Sequence, residues 1–127
     1  MKLSEQKKEK WEKTLRDSGL IDSIDTIQEY TKGDLWNPLQ IPGDFFFTME
    51  KFAYVSRGLI GKVTFSVPYN KITGLRLCNV GFIPFLPLGI RVTYTDENGK
   101  LQKRKCAVLK RKQWLAYLKE KASALSS

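Results

Sequence analysis

The side chains best suited to do chemistry in this sequence are basic, and they are concentrated in one region. Residues 100–121 contain nine lysines and arginines against a single acid, Glu120, whereas the rest of the chain carries thirteen basic and twelve acidic side chains. A concentrated positive field attracts anionic surfaces, whether phospholipid, nucleic acid or an acidic protein. The alternative is a solvated basic face that only aids solubility. The basic residues of this region are Lys100, Lys103, Arg104, Lys105, Lys110, Arg111, Lys112, Lys119 and Lys121.

Residues suited to catalysis or metal binding are scarce. The sequence has no histidine, which removes the commonest general base and the commonest metal ligand. Two cysteines, Cys78 and Cys106, are too few for a zinc site and fall in predicted strands, so we expect buried, reduced thiols. No glycine-rich phosphate loop or nucleophile-elbow motif occurs. The sequence therefore predicts a protein that is not an enzyme and needs no cofactor or metal. Acidic side chains fall at predicted turns, where they are common: Asp44, Glu50, Asp96 and Glu97.

An apolar segment interrupted by prolines lies at residues 79–89. Pro84 and Pro87 forbid both a regular helix and a central strand, because proline has no backbone N–H. Leaving four large apolar side chains in water would forgo roughly 6–12 kcal/mol of burial, so we expect something to cover them. The cover is the protein's own core or N-terminal helix, or else a partner protein, a dimer mate or a bilayer interface. The candidate apolar contact loop consists of Phe82, Ile83, Phe85 and Leu86.

The elements that must position these side chains are mostly strands. Apolar runs at residues 45–48 and 52–55 and an alternating run at 63–67 predict three short strands, and a fourth follows at 72–77. Pro68 ends the third strand, and Gly74 predicts a bulge or bend in the fourth. Connections this short are typical of an antiparallel meander.

The pattern beyond residue 88 predicts a strand, a hairpin and a helix. Apolar and polar residues alternate over 89–95, and Asn98-Gly99 predicts a tight hairpin turn leading to a return strand at 100–109. Residues 110–122 then have the period of an amphipathic helix. We expect its apolar stripe to cap the core, and that stripe consists of Trp114, Leu115, Leu118 and Ala122.

The residues before the meander predict another helix. Residues 4–18 are bounded by a plausible N-cap serine and by Gly19, and Glu9/Lys13 and Glu12/Arg16 have favourable ion-pair spacing. Its apolar stripe is thin, so the helix must dock, with Trp11 as the expected anchor, on this domain or on a second copy. A first strand is predicted at 26–32, followed by a loop over 33–42 that glycine and prolines punctuate.

A chain of 127 residues is long enough for one core and therefore predicts one folded domain. We divide it into an N-terminal helical extension at residues 1–19 and a domain at 20–125. The first residues have no apolar leader segment, and no run approaches the roughly 18–20 residues of a membrane span. These patterns predict a cytoplasmic protein without a transmembrane segment, with peripheral membrane association as the alternative.

Seven strands in meander order followed by an amphipathic helix resemble the pleckstrin-homology superfold. The segments Gly-Asp-Phe-Phe-Phe-Thr (43–48), Phe-Ala-Tyr-Val-Ser (52–56) and Phe-Ser-Val-Pro-Tyr-Asn-Lys-Ile (65–72) resemble GRAM-type and bacterial pleckstrin-homology-like domains. The resemblance covers residues 25–122. It implies a mainly β, α+β fold: a seven-stranded, partly open antiparallel barrel capped by the C-terminal helix, with the N-terminal helix as an addition.

The resemblance also implies a non-enzymatic binding module. In lipid-binding relatives the ligand sits among inter-strand loops, which here would supply Lys32, Arg57, Lys62 and Lys100. The full set of candidate anion or lipid contacts adds Lys103, Arg104, Lys105, Lys110 and Lys112. Protein–protein interaction or self-association is the favoured function. Binding to anionic phospholipid through the basic region and the apolar loop is the alternative. Nucleic-acid binding ranks third, below both, because exposed aromatic platforms are not evident.

Overall fold

A computed structural model describes residues 3–36, 40–57, 63–80 and 86–126 of the chain. These residues form two α-helices, a single 3₁₀ turn and seven strands. In chain order they are α1 (Glu5–Asp17), β1 (Ile27–Trp36), β2 (Gln40–Thr48), β3 (Lys51–Ser56), β4 (Thr64–Pro68), the 3₁₀ turn (Tyr69–Lys71), β5 (Ile72–Val80), β6 (Leu86–Thr95), β7 (Leu101–Val108) and α2 (Arg111–Ser126).

The seven strands form one antiparallel sheet in the order β4-β3-β2-β1-β7-β6-β5. The first strand links the two halves of the sheet, because β1 pairs with β2 along its length and with β7 over Gly33–Trp36. Strands β4 and β5 stay at the two edges, so the barrel is not closed. The predicted α+β fold with a seven-stranded, partly open antiparallel barrel and helices at both ends of the sequence is confirmed.

The prediction of a loop over residues 33–42 is wrong. Residues Gly33–Trp36 extend β1, and Gln40–Pro42 begin β2. The sheet accepts Pro42 because it lies one residue beyond the last β2–β3 pair, Gly43 with Ser56, where the ladder needs no N–H from it, and its carbonyl accepts from the N–H of Arg57 at 2.9 Å. Glycine is needed at position 33 because a Cβ there would lie 2.5 Å from the carbonyl oxygen of Ala107 on β7.

The other strand predictions overlap the observed strands, and their ends differ from the observed ends by at most five residues. The predicted irregularity at Gly74 is confirmed, because the register between β5 and β6 shifts between Ile72 and Gly74. The placement of Asp44 at a turn is wrong. This residue lies within β2, opposite Lys32, and its side chain is buried.

The apolar residues form two layers on opposite faces of the first sheet half. The larger layer fills the barrel and includes Phe45 and Phe47 of β2. The smaller layer covers the outer face, where Phe46 packs with Leu15 and Ile27. All three consecutive phenylalanines are therefore buried, because β2 has an apolar layer on each side.

Helix α2 caps the barrel as predicted, although it begins one residue later and ends four residues further on than expected. The indole of Trp114 stacks on Phe47, with ring centroids 4.6 Å apart and planes inclined by 10°. Trp114 and Leu118 are buried in the barrel layer, and Leu115 packs against it. Burial of this stripe positions the start of the helix, and with it Arg111, next to β5.

Helix α1 docks on the outer face of its own sheet. Trp11, the predicted anchor, packs on Phe46 with ring centroids 4.7 Å apart, and Leu15 is buried beside it. The caps are as predicted: the Ser4 hydroxyl accepts from the N–H of Lys7, and Gly19 has a φ of 74° just beyond the helix. The separation into an extension at 1–19 and a domain at 20–125 stays a prediction.

The predicted ion pairs within α1 are wrong. Lys13 pairs with Asp17 at 2.8 Å and not with Glu9. Glu12 is buried and accepts from the backbone N–H of Ile27, while Arg16 donates to the carbonyl of Asp25. These two side chains connect α1 to the chain that leads into β1, because they face the sheet and not solvent.

Both cysteines lie in strands as free thiols, Cys78 half-buried on β5 and Cys106 buried on β7. On β7, Leu101 is 61% exposed. Of the predicted apolar contact loop, Phe82, Ile83 and Phe85 lie outside the described residues, and Leu86 begins β6. In the described part of the chain, neither helix is both long and apolar enough to cross a bilayer.

Candidate functional site: a cationic groove under helix α1

A groove of about 680 Å³ runs between α1 and the outer face of β1, β2 and β3. Four cations surround it, and aromatic and aliphatic side chains form its floor. The helix contributes residues spaced three and four apart, which share one face. The lining residues are Leu3, Ser4, Lys7, Lys10, Trp11, Thr14, Tyr30, Lys32, Asp44 and Arg57.

The carboxylate that lines the groove, that of Asp44, already accepts hydrogen bonds from the protein itself. Asp44 accepts hydrogen bonds from both Tyr30 Oη and Arg57 Nη2, and Arg57 Nε donates to its second oxygen at 3.0 Å. Arg57 Nη2 also contacts Tyr30 Oη at 3.3 Å. The side chain of Asp44 is only 3% exposed, whereas that of Arg57 is 46% exposed. The buried acid therefore fixes a guanidinium that remains half open to a ligand.

The pKa shifts around Asp44 follow from these contacts. Burial, followed by the hydrogen bond to Asp44, raises the pKa of Tyr30 to about 12. The hydrogen bond to Asp44 raises the pKa of the Arg57 guanidinium above its ordinary value. At neutral pH the tyrosine is thus a neutral donor and the arginine a fixed cation, so this cluster has no group poised to exchange a proton.

The groove as a whole favours an anionic ligand with an apolar part. Lys7, Lys10 and Lys32 add three flexible ammonium groups to the fixed guanidinium of Arg57. The ring of Trp11 offers a flat apolar wall. A volume of this size lies in the range of ordinary ligand sites, about 300–1,000 Å³. The arrangement supports binding and electrostatic selection.

The structure brings together only part of the predicted anion-contact set. Lys32 and Arg57 share the groove, and Lys62 lies outside the described residues. Lys100 lies in the β6–β7 turn, where its backbone N–H donates to Asp96 Oδ1. Arg104 lies on the core side of β7: its Nε donates to Tyr94 Oη at 3.2 Å, and its guanidinium lies 5.4 Å from the ring of Phe65.

The remaining predicted cations are exposed on other elements. Lys103 and Lys105 project from the outer face of β7, while Lys110 and Lys112 flank the first residue of α2. The predicted set is therefore spread over at least three surfaces. Nothing in the structure tests whether any of these residues binds a ligand.

Sequence reasoning missed most of the groove. Lys7, Lys10, Tyr30 and Asp44 were not singled out as contacts, because the helix was expected to serve only as a docked extension. The available signal was the spacing of Lys7, Lys10, Trp11 and Thr14, which places basic and aromatic side chains on one helix face. Across the described residues, no group of three or more Cys, Asp or Glu side chains is arranged to hold a metal ion.

Comparisons with known proteins show the fold only. No protein-family profile and no curated protein sequence matches the chain. Among solved structures, the C-terminal domain of an unknown protein from Leishmania infantum superposes with a TM-score of 0.65 at 15% identity, covering 90% of this chain and 95% of that one. The hSac2 domain of the human phosphoinositide phosphatase Sac2 superposes with a TM-score of 0.64 at 10% identity, covering 99% and 87%.

A third match contains a pleckstrin-homology domain. It is the PDZ-RhoGEF DH/PH structure in complex with activated RhoA, with a TM-score of 0.62 at 9% identity. The match covers 81% of this chain and 31% of that one, so the likeness is to a part of the larger protein. Together with the seven-stranded sheet, these likenesses show a pleckstrin-homology-like fold.

Proposed function

We propose that this chain is a non-enzymatic binding module that takes an acidic segment of a partner protein into the groove under α1. The observation that carries this proposal is the lining of the groove: four cations face one carboxylate, and that carboxylate is already paired with Arg57. The pleckstrin-homology-like fold supports a binding role, because one structure of this type in the comparisons, the PDZ-RhoGEF DH/PH structure, is of a complex with activated RhoA.

A protein segment suits the groove better than a bare anion does. Lysines of α1 and Lys32 of β1 line the same groove as Trp11 and Leu3, so the ligand must supply both charge and apolar contact. An extended acidic segment with one aromatic or aliphatic residue meets both needs. The apolar residue would lie on Trp11, while carboxylates would pair with Lys7, Lys10 and the exposed edge of Arg57.

A displayed library of random twelve-residue peptides tests this proposal. We expect selected peptides to be rich in Asp and Glu around one large apolar residue. We also expect their affinity to fall at least about tenfold in the Lys7→Glu/Lys10→Glu variant, because two charge-assisted contacts become repulsive. The matched control is Lys112→Glu/Lys119→Glu, which makes the same charge change on exposed positions of α2.

The outcome separates three cases. Peptides that lose affinity only in the α1 variant support the groove. Peptides without an acidic bias, or peptides that bind both variants equally, contradict it.

Self-association is the other form of the protein-interaction hypothesis. A solution mass that doubles with concentration in the wild type but not in the α1 variant would identify a second copy as the partner.

A second candidate function, peripheral binding to anionic membrane, rests on a different observation. Leu88 and Leu109 are 37% and 74% exposed, and both line a small cavity of about 230 Å³ that Lys32 and Arg57 also line. Exposed leucines beside cations suit the interface of an anionic bilayer. We expect binding to vesicles of phosphatidylcholine with phosphatidylserine that weakens with salt and with Leu88→Ser/Leu109→Ser. Unchanged sedimentation of that variant would exclude this surface.

A further inference from the structure

Three cations form one row across the outer face of the second sheet half. Arg76 on β5 lies directly opposite Arg91 on β6, and Arg91 lies directly opposite Lys105 on β7. Directly opposite residues in an antiparallel pair project from the same face, with Cβ atoms about 4.5–5.5 Å apart. Arg76 and Lys105 are exposed, and Arg91 is half-buried between them. We refer to Arg76, Arg91 and Lys105 as the cation row.

The cation row is electrostatically unfavourable as it stands. Like charges directly opposite each other destabilise a sheet. Within the described residues, no carboxylate lies at ion-pair distance from any member of the row. Asp34 is the acid in the part of β1 that pairs with β7, but it is opposite Ala107 and accepts from the side-chain amide of Gln40. The charge of the row is therefore not balanced within this part of the fold.

A second electrostatically unfavourable arrangement, cations at the N-terminus of α2, lies at the edge of the cation row. Helix α2 begins at Arg111, its first turn contains no acid, and Lys110 and Lys112 flank that residue. Cations at a helix N-terminus oppose the helix dipole, which favours negative charge there. Arg111 Nη1 donates to the carbonyl oxygen of Cys78 on β5 at 2.9 Å, so the start of the helix is held against the strand that carries Arg76.

Cys78 lies beside these charges. It pairs with Gly89, two residues before Arg91 and therefore on the same sheet face, and its carbonyl accepts from Arg111. Burial raises the pKa of its thiol, and the positive charges of Arg91, Lys105 and Arg111 oppose that increase. The sulfur lies over Gly89, the residue opposite Cys78 on β6, where a Cβ would come within 2.7 Å of it. Cations from β6, β7 and α2 thus surround one point on the outer face.

We propose that Arg76, Arg91, Lys105 and Arg111 form a binding site for a compact ligand with several phosphate charges, either a free phosphate compound or the phosphate headgroup of a lipid. Guanidinium groups bind phosphate oxygens in pairs of parallel hydrogen bonds, and three of the four cations are arginines. A bound polyanion would neutralise both the row and the N-terminus of α2. This proposal concerns a different surface from the groove under α1 and does not depend on it.

Sodium triphosphate is the first probe, titrated at constant ionic strength and followed by calorimetry and by amide chemical shifts. We expect the Arg91→Gln/Lys105→Gln variant to lose at least about tenfold in affinity, since two charge-assisted hydrogen bonds are removed. Lys7→Gln/Lys10→Gln removes the same charge from the groove and should bind within about twofold of the wild type. The reverse pattern, or equal losses in both variants, overturns the proposal.

Two further readouts are local to the site. Without ligand, neutralising the row should leave the melting temperature unchanged or raise it, because repulsion is relieved. With triphosphate, alkylation of Cys78 by iodoacetamide should slow, because the bound anion covers the thiol and cancels the nearby positive charge. Alkylation that triphosphate leaves unchanged contradicts the site. If the double variant does not fold, Arg76→Gln and Lys105→Gln singly change only exposed side chains and carry the same test.

Vesicles distinguish the source of the phosphate. Vesicles of phosphatidylcholine with phosphatidic acid present phosphate groups on a surface, whereas triphosphate carries its phosphate groups in solution. Binding of triphosphate that depends on Arg91 and Lys105 assigns a soluble ligand. Binding of the vesicles alone, with the same dependence, assigns a lipid headgroup. Binding of neither probe, or binding that these substitutions do not affect, rejects the site.

Discussion

The carboxylate of Glu12 accepts a hydrogen bond from the backbone N–H of Ile27, with 2.8 Å between Oε2 and N. This bond joins a buried acid on α1 to the first residue of β1. It satisfies a donor at the strand end that would otherwise be covered by the helix without a partner. The helix that forms one wall of the groove is thus attached to the sheet by a polar contact as well as by Trp11 and Leu15.

Replacement of Glu12 by alanine should lower the free energy of unfolding by about 1–3 kcal/mol, because it leaves the buried N–H of Ile27 without an acceptor. Urea denaturation followed by circular dichroism measures the change. Glu9→Ala is the matched control, since Glu9 is exposed on the same helix and should change stability by less than about 0.5 kcal/mol. Equal effects of the two substitutions would show that the bond contributes nothing.

Replacement of Trp114 by alanine should cost about 3–5 kcal/mol, since it removes the stacked contact with Phe47 and opens the barrel layer. Loss of cooperative thermal unfolding or a large shift of the urea midpoint would report this. Leu109→Ala, at a position just before α2 that is 74% exposed, should leave the midpoint nearly unchanged. A Trp114 variant as stable as the Leu109 variant would contradict the capping role of α2.

Glycine at position 33 should be far less replaceable than glycine at position 74. An alanine Cβ at 33 would meet the Ala107 carbonyl oxygen at 2.5 Å, whereas one at 74 would meet Thr93 at 3.4 Å, an ordinary contact. We expect Gly33→Ala to cost more than about 2 kcal/mol and Gly74→Ala to stay within about 1 kcal/mol of the wild type. Equilibrium unfolding of both variants measures the two losses of unfolding free energy. A larger loss for Gly74→Ala than for Gly33→Ala would place β7 further from β1 than the structure does.

Alkaline pH should destabilise the fold through Tyr30. Its pKa is raised to about 12 in the folded protein, above the value of about 10 for an exposed tyrosine. Below pH 10 the phenol is neutral in both states and its contribution is complete. Between pH 10 and 12 the unfolded state ionises first, so the contribution is lost as the pH rises. Tyr30→Phe should flatten the decline in unfolding free energy between pH 10 and 12, and an unchanged slope would contradict the assignment.

The strands that sequence patterns predicted best are those with an uninterrupted apolar run. Residues 45–48 and 52–55 lie within β2 and β3 because each run is buried whichever neighbour covers it. The prediction of a loop over residues 33–42 was wrong for a physical reason. Glycine and proline usually interrupt strands, but here Gly33 allows the close approach of β7, and Pro42 lies one residue beyond the β2–β3 ladder, where no N–H is needed from it.

The candidate sites were harder to predict because they depend on register. Arg76, Arg91 and Lys105 are separated by about fifteen residues each along the chain, and only the pairing of β5, β6 and β7 aligns them. Likewise, Asp44 meets Arg57 and Tyr30 only after β1, β2 and β3 have paired. Local sequence patterns predict the strands but not the register in which they pair. A cluster of residues from three strands therefore cannot be predicted before the strand pairing is known.

The two helices cover opposite sides of the same three phenylalanines, α1 over Phe46 and α2 over Phe47. During synthesis, residues 5–17 emerge before the sheet and residues 111–126 after it, so β2 remains uncovered on one side until all seven strands have been made. A nascent chain halted before residue 111 would present an apolar strand face to its surroundings. Such intermediates should be the species that chaperones bind and that aggregate, and shortening the time before α2 emerges should raise the yield of soluble protein.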